Sequence, residues 1–283
     1  MVKIISDSTT DLGNELIEKH NIQILPLNVL LGEKNYKDGV DITPEEIYEY
    51  HDKNGVLPKT AALNIADFEN IFADASADGS DVVCFTISSK MSATFNNARI
   101  AAENFNNVYA IDTCNLSTGG GLLVLEACKM AQEGKSGAEI KEKCDELAKY
   151  IDASFVIDSL EYLHKGGRCS AVAAFGANLL KLKPLIQVSD GVMGVAKKYR
   201  GKFDTVLLEY TADKLANVDD IDTENVFITH AGVDDEYVES VKQRVLELIP
   251  FKNVYITRAS ATISSHCGRN TLGVLFKRKS PVK

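Results

Sequence analysis

Along the first half of the chain, apolar and polar residues switch between two periods. The apolar runs KIIS (3–6), DVVCFTIS (81–88) and NVYAID (107–112) read as strands. The second of these is predicted to be buried from its β-branched and aromatic content. IQILPLNVLL (22–31) reads as one more strand, with Pro26 marking an edge or a bend. Helical spacing fills the intervals. DLGNELIEKH (11–20) is predicted as a helix capped by Thr10 or Asp11. DITPEEIYEYHDKNG (41–55) carries its own start and stop: Thr43 as cap, Pro44 at the first helical position, acids in the first turn, and Gly55 at the end. IADFENIFADASADG (65–79) is helical. So is the stretch after Ser92, where Ala98, Ala101 or Ala102, and Phe105 share a face. TGGGLLVLEACKMAQEG (118–134) and the amphipathic GAEIKEKCDELAKYI (137–151) complete the series. Strands that are apolar throughout, alternating with helices, predict a parallel, doubly wound sheet.

The second half changes character. SFVID (154–158) reads as a strand, SLEYLHKGG as a short helix, and VAAFGANLLKLK (172–183) as another helix. PLIQVSDGVMGVAKKYR (184–200) reads as two strands joined at Asp190-Gly191, a strong hairpin dipeptide. NVFITHAG (225–232), DEYVESVKQRVLELI (235–249) and NVYITRAS (253–260) give strand, helix, strand, and NTLGVLFKRK (270–279) closes as a strand. The expected fold class is therefore α/β. An N-terminal doubly wound parallel-sheet domain, residues 1–152, is followed by a C-terminal α+β domain, residues 153–283, on a mixed, partly antiparallel sheet.

Composition narrows the function classes. The chain is 45% hydrophobic and 25% charged, ordinary for a globular protein. Its formal net charge of -9 argues against a general grip on nucleic acid, which demands a basic surface. The opening MVKIISDSTT lacks the layout of a signal peptide, and GLLVLEACKMA is too short and too polar to span a bilayer, so a cytoplasmic location is expected. The six cysteines form no CxxC pair and read as buried thiols. No two of His20, His51, His164, His230 and His266 have metal-ligand spacing, so no metal site is expected.

Hydroxyls collect at three places: SDSTTD (6–11), PKTAAL (58–63) and SSKMSAT (88–94), each just after a predicted strand. Loops at the C-terminal ends of parallel strands line one crevice. A single hydroxyl there is a helix cap; several on neighbouring turns look like an anion cradle. No GxxxxGK[ST] or GxGxxG is present, so neither a phosphate loop nor a dinucleotide fingerprint is expected. The glycines of TGGGLL read instead as allowing close helix–strand packing. Neutral donors at a helix N-terminus beside Lys90 suit a monoanion such as a carboxylate. Ser92 and His266 could alternatively form the nucleophile–base pair of a serine hydrolase or acyltransferase, although no GxSxG elbow exists. LHKGGRCS (163–170) is either a solvated turn or an arginine offered to a partner or a phosphate.

An ordered set of motifs spans nearly the whole chain: ISDSTTDL, LPKT (57–60), SSKMSAT, YAIDT (109–113), LEYLHKGGR (160–168), LKPLIQVSDG (182–191), and His266 shortly before a glycine. Together they resemble the DegV-type bacterial fatty-acid-binding proteins, which include the lipid-carrying subunits of bacterial fatty acid kinase. The resemblance implies two α/β domains holding a long-chain fatty acid. It implies a carboxylate site built from Thr60, Ala61, Ser92, Ala93, Thr94 and His266, with Thr60 and Ser92 as the firmest contacts. Arg168 is implied as the docking residue for a separate fatty acid kinase. No catalytic residue, metal or cofactor is implied, and transient membrane contact is compatible with such a carrier. The chain departs from the family pattern in three places. Ala61 loses a hydroxyl, Ala93 stands where glycine is usual, and Arg269 replaces a proline. Ala93 keeps its backbone donor if its φ is negative; Arg269 either adds a cation near the head-group or lies on the surface. A sixteen-carbon chain would bury about fourteen methylenes at roughly 0.8 kcal/mol each, about 11 kcal/mol before the costs of association.

Overall fold

The protein is described here by a computed structural model covering residues 1–169 and 182–282. Its first sheet holds four parallel strands: β1 (Val2–Asp7), β2 (Gln23–Leu25), β6 (Asp81–Thr86) and β7 (Val108–Asp112), in the order β2-β1-β6-β7. Helices cover both faces. Leu16 of α1 (Asn14–His20), α5 (Ser117–Gln132) and α6 (Gly137–Leu147) pack against Ile4, Val83, Phe85 and Ile111. Phe68 and Phe72 of α3 (Ile65–Ser76) and Ala98 and Ala101 of α4 (Thr94–Ala102) pack against Ile5, Val82 and Cys84. Alternate residues of each strand thus feed opposite cores, which is why these strands are apolar throughout. Strand order reverses between β1 and β6, so the loops leaving their C-terminal ends open a crevice.

A second, three-stranded sheet was not expected. The run 22–31 breaks at Pro26: β2 stays in the parallel sheet, while β3 (Asn28–Leu31) pairs antiparallel with β4 (Lys34–Lys37) and β5 (Lys59–Ala61). Between them, α2 (Pro44–Asn54) starts at Thr43, whose hydroxyl accepts from Glu46 N while Glu46 reaches back to Thr43 N. Such a capping box stabilises a helix by about 1 kcal/mol.

The third sheet has seven strands, in the order β11-β10-β9-β14-β12-β13, with β8 (Ile151–Asp152) also on β14. These are β9 (Ser154–Ile157), β10 (Leu182–Ser189), β11 (Val192–Arg200), β12 (Ile221–Ala231), β13 (Asn253–Arg258) and β14 (Thr271–Arg278). Among the described residues only β12 and β13 run parallel; the other pairings in this sheet are antiparallel. The hairpin turns at Asp190-Gly191, both with positive φ (49° and 78°). Strands up to Asp112 belong to the first two sheets, and those from Ile151 onward to the third. Helix α5 lies between the parallel sheet and the seven-stranded one, buried from Ser117 to Val124. Its glycines do allow close packing, but against a turn rather than a strand: a Cβ on Gly121 would sit 2.9 Å from Thr10 O and 2.8 Å from Leu12 Cδ2.

Several local readings change. The helix predicted over 11–20 begins at Asn14 behind Gly13, with no side-chain cap. Its expected caps are used elsewhere: Thr10 closes the 3₁₀ turn Ser8–Thr10, its Oγ1 donating to Asp7 O at 3.2 Å, and Asp11 accepts from Ser260 N at 2.8 Å and Ser117 Oγ at 2.5 Å. The helix predicted over 172–183 lies outside the described residues up to 181, and Leu182 and Lys183 open β10 instead. Among the described residues, three helices follow α6 in the second half besides the short α7 (Glu161–Gly166). They are α8 (Phe203–Lys214), α9 (Asp235–Leu248) and α10 (Ala261–Cys267). The first and last were not read from the sequence. In α8 an exposed Leu208 blurs the apolar stripe, and α10 is seven residues rich in hydroxyls.

Candidate functional site

A cavity of about 510 Å³ lies among the crevice loops of the parallel sheet, β5, α10 and the seven-stranded sheet. Its walls come from distant parts of the chain. Leu27 and Met91 from the crevice side, Leu116 at the start of α5, and Phe155, Met193 and Leu275 from the seven-stranded sheet give it an apolar length. Thr60, Ser92 and His266 line the same cavity.

Each polar side chain has a reason to be there. Pairing of Val29 with Thr60 sets the residue on β5 beside α10. There Thr60 Oγ1 lies 2.8 Å from His266 Nε2. Burial pushes the His266 imidazole down to about 4, and the nearby Arg168 guanidinium pushes in the same direction. The ring is therefore neutral at physiological pH and presents one donor and one acceptor. Its Nδ1 has no hydrogen-bond partner among the described residues. Gly166 lies against that nitrogen, where an added Cβ would stand 2.8 Å away.

Ser92 sits just before α4. Its N donates to Ser88 O at 3.1 Å, and its Oγ lies 2.8 Å from Thr94 Oγ1. Thr94 is fully buried and is not among the cavity-lining residues; it orients the Ser92 hydroxyl from behind. Ala93 is the N-cap residue with φ -73°, so the alanine is unstrained where a glycine is usual. No acidic residue occupies the first turn of α4, which leaves its positive end to an anion. Lys90 and Arg168 line the same cavity and are exposed to solvent. Arg168 Nη1 donates to Gly166 O at 2.6 Å.

Of the expected site residues, Thr60, Ala61, Ser92, Ala93, His266 and Arg168 all border this one cavity. Thr94 stands behind Ser92. The first hydroxyl cluster turns away from it. Ser8 Oγ donates to Asp38 Oδ2 at 2.7 Å, and Thr10 Oγ1 to Asp7 O at 3.2 Å, so these groups brace the scaffold. Nor is PKTAAL a loop after a parallel strand, because its Lys59–Ala61 is itself β5. Ser88 is also structural: its Oγ donates to Gly191 O at 2.7 Å and locks the β10–β11 hairpin onto the crevice. Arg269 lies on the surface, 2.6 Å from Asp52 and over the Tyr48 ring.

The nucleophile–base pair is not assembled. His266 Nε2 is bonded to Thr60 and the Ser92 hydroxyl to Thr94. Cys267, also in the wall, is pushed up to about 12 by burial and stays a thiol. Among the described residues no group of three or more His, Cys, Asp or Glu could hold a metal ion, and no helix is long and apolar enough to cross a membrane. Sequence reasoning missed the apolar wall. Met193, Phe155 and Leu275 carry no signal that separates a cavity lining from ordinary core.

A family model described as "Uncharacterised protein, DegV family" matches residues 1–279. A DegV domain-containing protein of Clostridium acetobutylicum is 33% identical over 283 residues, covering 98% of this chain and 99% of that protein. Among solved structures, a fatty-acid-binding DegV family protein from Thermus thermophilus superposes with a TM-score of 0.91 at 28% identity, over 98% of this chain and 99% of that one. A stearic-acid-binding protein from Eubacterium ventriosum superposes with a TM-score of 0.83 at 29% identity, over 99% of each chain.

Proposed function

The chain belongs to the DegV family, and from that footing we propose that it binds one long-chain fatty acid, such as palmitate, in the cavity. The carboxylate is held by Thr60 and Ser92, with His266 completing the network and the backbone at Ala61 and Ala93 close by. The acyl chain runs along the apolar wall. In this reading the protein is a carrier without a cofactor, working in the cytoplasm. It presents the carboxylate to a separate ATP-dependent kinase that docks beside Arg168, and it is not itself the kinase.

One observation carries the reading: one cavity of about 510 Å³ is lined both by apolar side chains and by Thr60, Ser92 and His266, with Thr60 Oγ1 2.8 Å from a neutral His266 imidazole. The volume lies in the range of about 300–1,000 Å³ usual for small-molecule sites. Burial of methylenes supplies most of the binding energy. The polar end fixes which way round the ligand sits, because a carboxylate buried without donors is costly.

The test is the double variant Thr60→Val with Ser92→Ala, titrated with palmitate by calorimetry. Each lost bond to the buried anion costs on the order of 1–3 kcal/mol, so affinity is expected to fall roughly a hundredfold or more. Wild-type affinity in the double variant would refute the assignment.

A further inference from the structure

We propose that Asp38 and Asp11 are positioning residues for the cavity: their carboxyl groups clamp the N-terminus of α10 and thereby hold His266 against Thr60.

A helix of seven residues does not sustain itself in water, and its first four amides have no partner within the helix. In α10 all the leading amides have acceptors. Ser260 N donates to Asp11 Oδ1 at 2.8 Å. Ala261 N donates to Asp38 Oδ1 at 2.8 Å, and Thr262 N to Asp38 Oδ2 at 3.2 Å. Ile263 N donates to Ser260 Oγ at 3.3 Å. Only the last of these is local. Both carboxyl groups come from the first 38 residues of the chain, more than 220 positions away from the helix they hold.

The clamps are themselves braced. Asp38 Oδ2 accepts from Ser8 Oγ at 2.7 Å, and Asp38 N donates to Leu27 O at 2.9 Å. Asp11 Oδ2 accepts from Ser117 Oγ at 2.5 Å. Asp38 and Asp11 are 2% and 6% exposed, and neither is among the residues lining the cavity. Asp38 reaches the cavity through α10; Asp11 does so through α10 and through Ser117, which lines it.

That helix puts Thr262, Ile263, His266 and Cys267 into the wall. His266 stands four residues, about one turn or 6 Å, beyond Thr262, whose amide Asp38 holds. At its far end the helix is placed by packing, with Gly268 backed onto the Tyr162 ring so closely that a Cβ would lie 2.7 Å from Cδ2. The amide clamp is thus the directional element that fixes where His266 points.

The experiment compares wild type, Asp38→Asn and the remote core variant Val226→Ala, all as the full chain. Two quantities are read: palmitate affinity by calorimetry, and the titration midpoint of the His266 imidazole by nuclear magnetic resonance. Asp38→Asn offers one acceptor where two are needed and turns an amino group toward an amide. It is expected to weaken palmitate about tenfold, the equivalent of one lost bond to a charged group. It is also expected to raise the His266 midpoint from about 4 toward the ordinary 6.5 as water reaches the ring. Val226→Ala lowers the melting temperature through a cavity in the core cluster on the opposite face of the seven-stranded sheet, and is expected to leave both readouts in place. Wild-type affinity together with an unmoved His266 midpoint in Asp38→Asn overturns the clamp. The affinity arm rests on the fatty-acid reading. If wild type binds no palmitate, that reading fails, while the His266 midpoint still decides the clamp. Should Asp38→Asn not fold, Ser8→Ala removes the brace on Asp38 Oδ2, together with the bond Ser8 Oγ accepts from Leu27 N at 3.2 Å, and is expected to move both readouts in the same directions by a smaller amount; no movement there overturns the clamp equally.

Discussion

At the scale of single residues, His266 carries the most chemistry. Its folded-state titration lies near 4, below the ordinary 6.5, mainly because burial disfavours the charged ring. The unfolded chain therefore takes up this proton first on acidification. The associated stability is complete above pH 6.5 and is lost as pH falls toward 4. His266→Gln removes the titration. The wild-type melting temperature is accordingly expected to fall relative to that variant between pH 6.5 and 4, and to keep a constant offset from it above pH 7. A constant offset across the whole range would show that His266 is not shielded from water. Ala93 illustrates how a departure from a family pattern is absorbed: with φ -73° the position never needed glycine's freedom.

At the scale of elements, α7 and α10 meet at Gly166, and the two glycines of the KGGR stretch do different work. Gly166 supplies space, since a Cβ would stand 2.8 Å from His266 Nδ1. Gly167 supplies conformation, with φ 69° and nothing within 4 Å of an added Cβ. Gly166→Ala is expected to push the imidazole off Thr60 and weaken fatty-acid binding about tenfold. Gly167→Ala is expected to cost about 1–2 kcal/mol of stability through its left-handed backbone while leaving affinity unchanged. Calorimetric titration beside thermal melts separates the two effects; equal affinities for the two variants would contradict the contact.

At the scale of the whole molecule, the cavity occupies ground where three sheets converge, and its filling is coupled to folding. A ligand that binds only the folded state stabilises it by about 2.7 kcal/mol at a hundredfold excess over Kd. For a chain of this size that corresponds to a rise in melting temperature of roughly 4–5 °C. Delipidated protein is expected to melt lower by that amount and to recover on addition of palmitate. Octanoate at the same multiple of its own, weaker Kd should match the shift, whereas at equal concentration it should fall well short. Identical melting curves with and without palmitate would separate the lipid from the fold.

How much of this was legible in the chain follows from the range of the interactions involved. The strands and helices of the parallel half, the capping box at Thr43 and the turn at Asp190-Gly191 are written in residues a few positions apart. Their periodicity and local bonding determined them before any tertiary contact was considered. The motifs likewise marked Thr60, Ser92 and His266. Which hydroxyls face the cavity was decided by packing. Ser8 and Thr9 sit in as promising a cluster as Ser92, yet their partners are Asp38 and Asp7, and they brace the scaffold. The Thr60–His266 bond joins residues 206 positions apart, and the clamp on α10 spans still longer intervals. The apolar wall was invisible for a related reason. Burying Phe155 against protein or against a lipid chain yields the same hydrophobic free energy, so only the arrangement of elements leaves one side of it open.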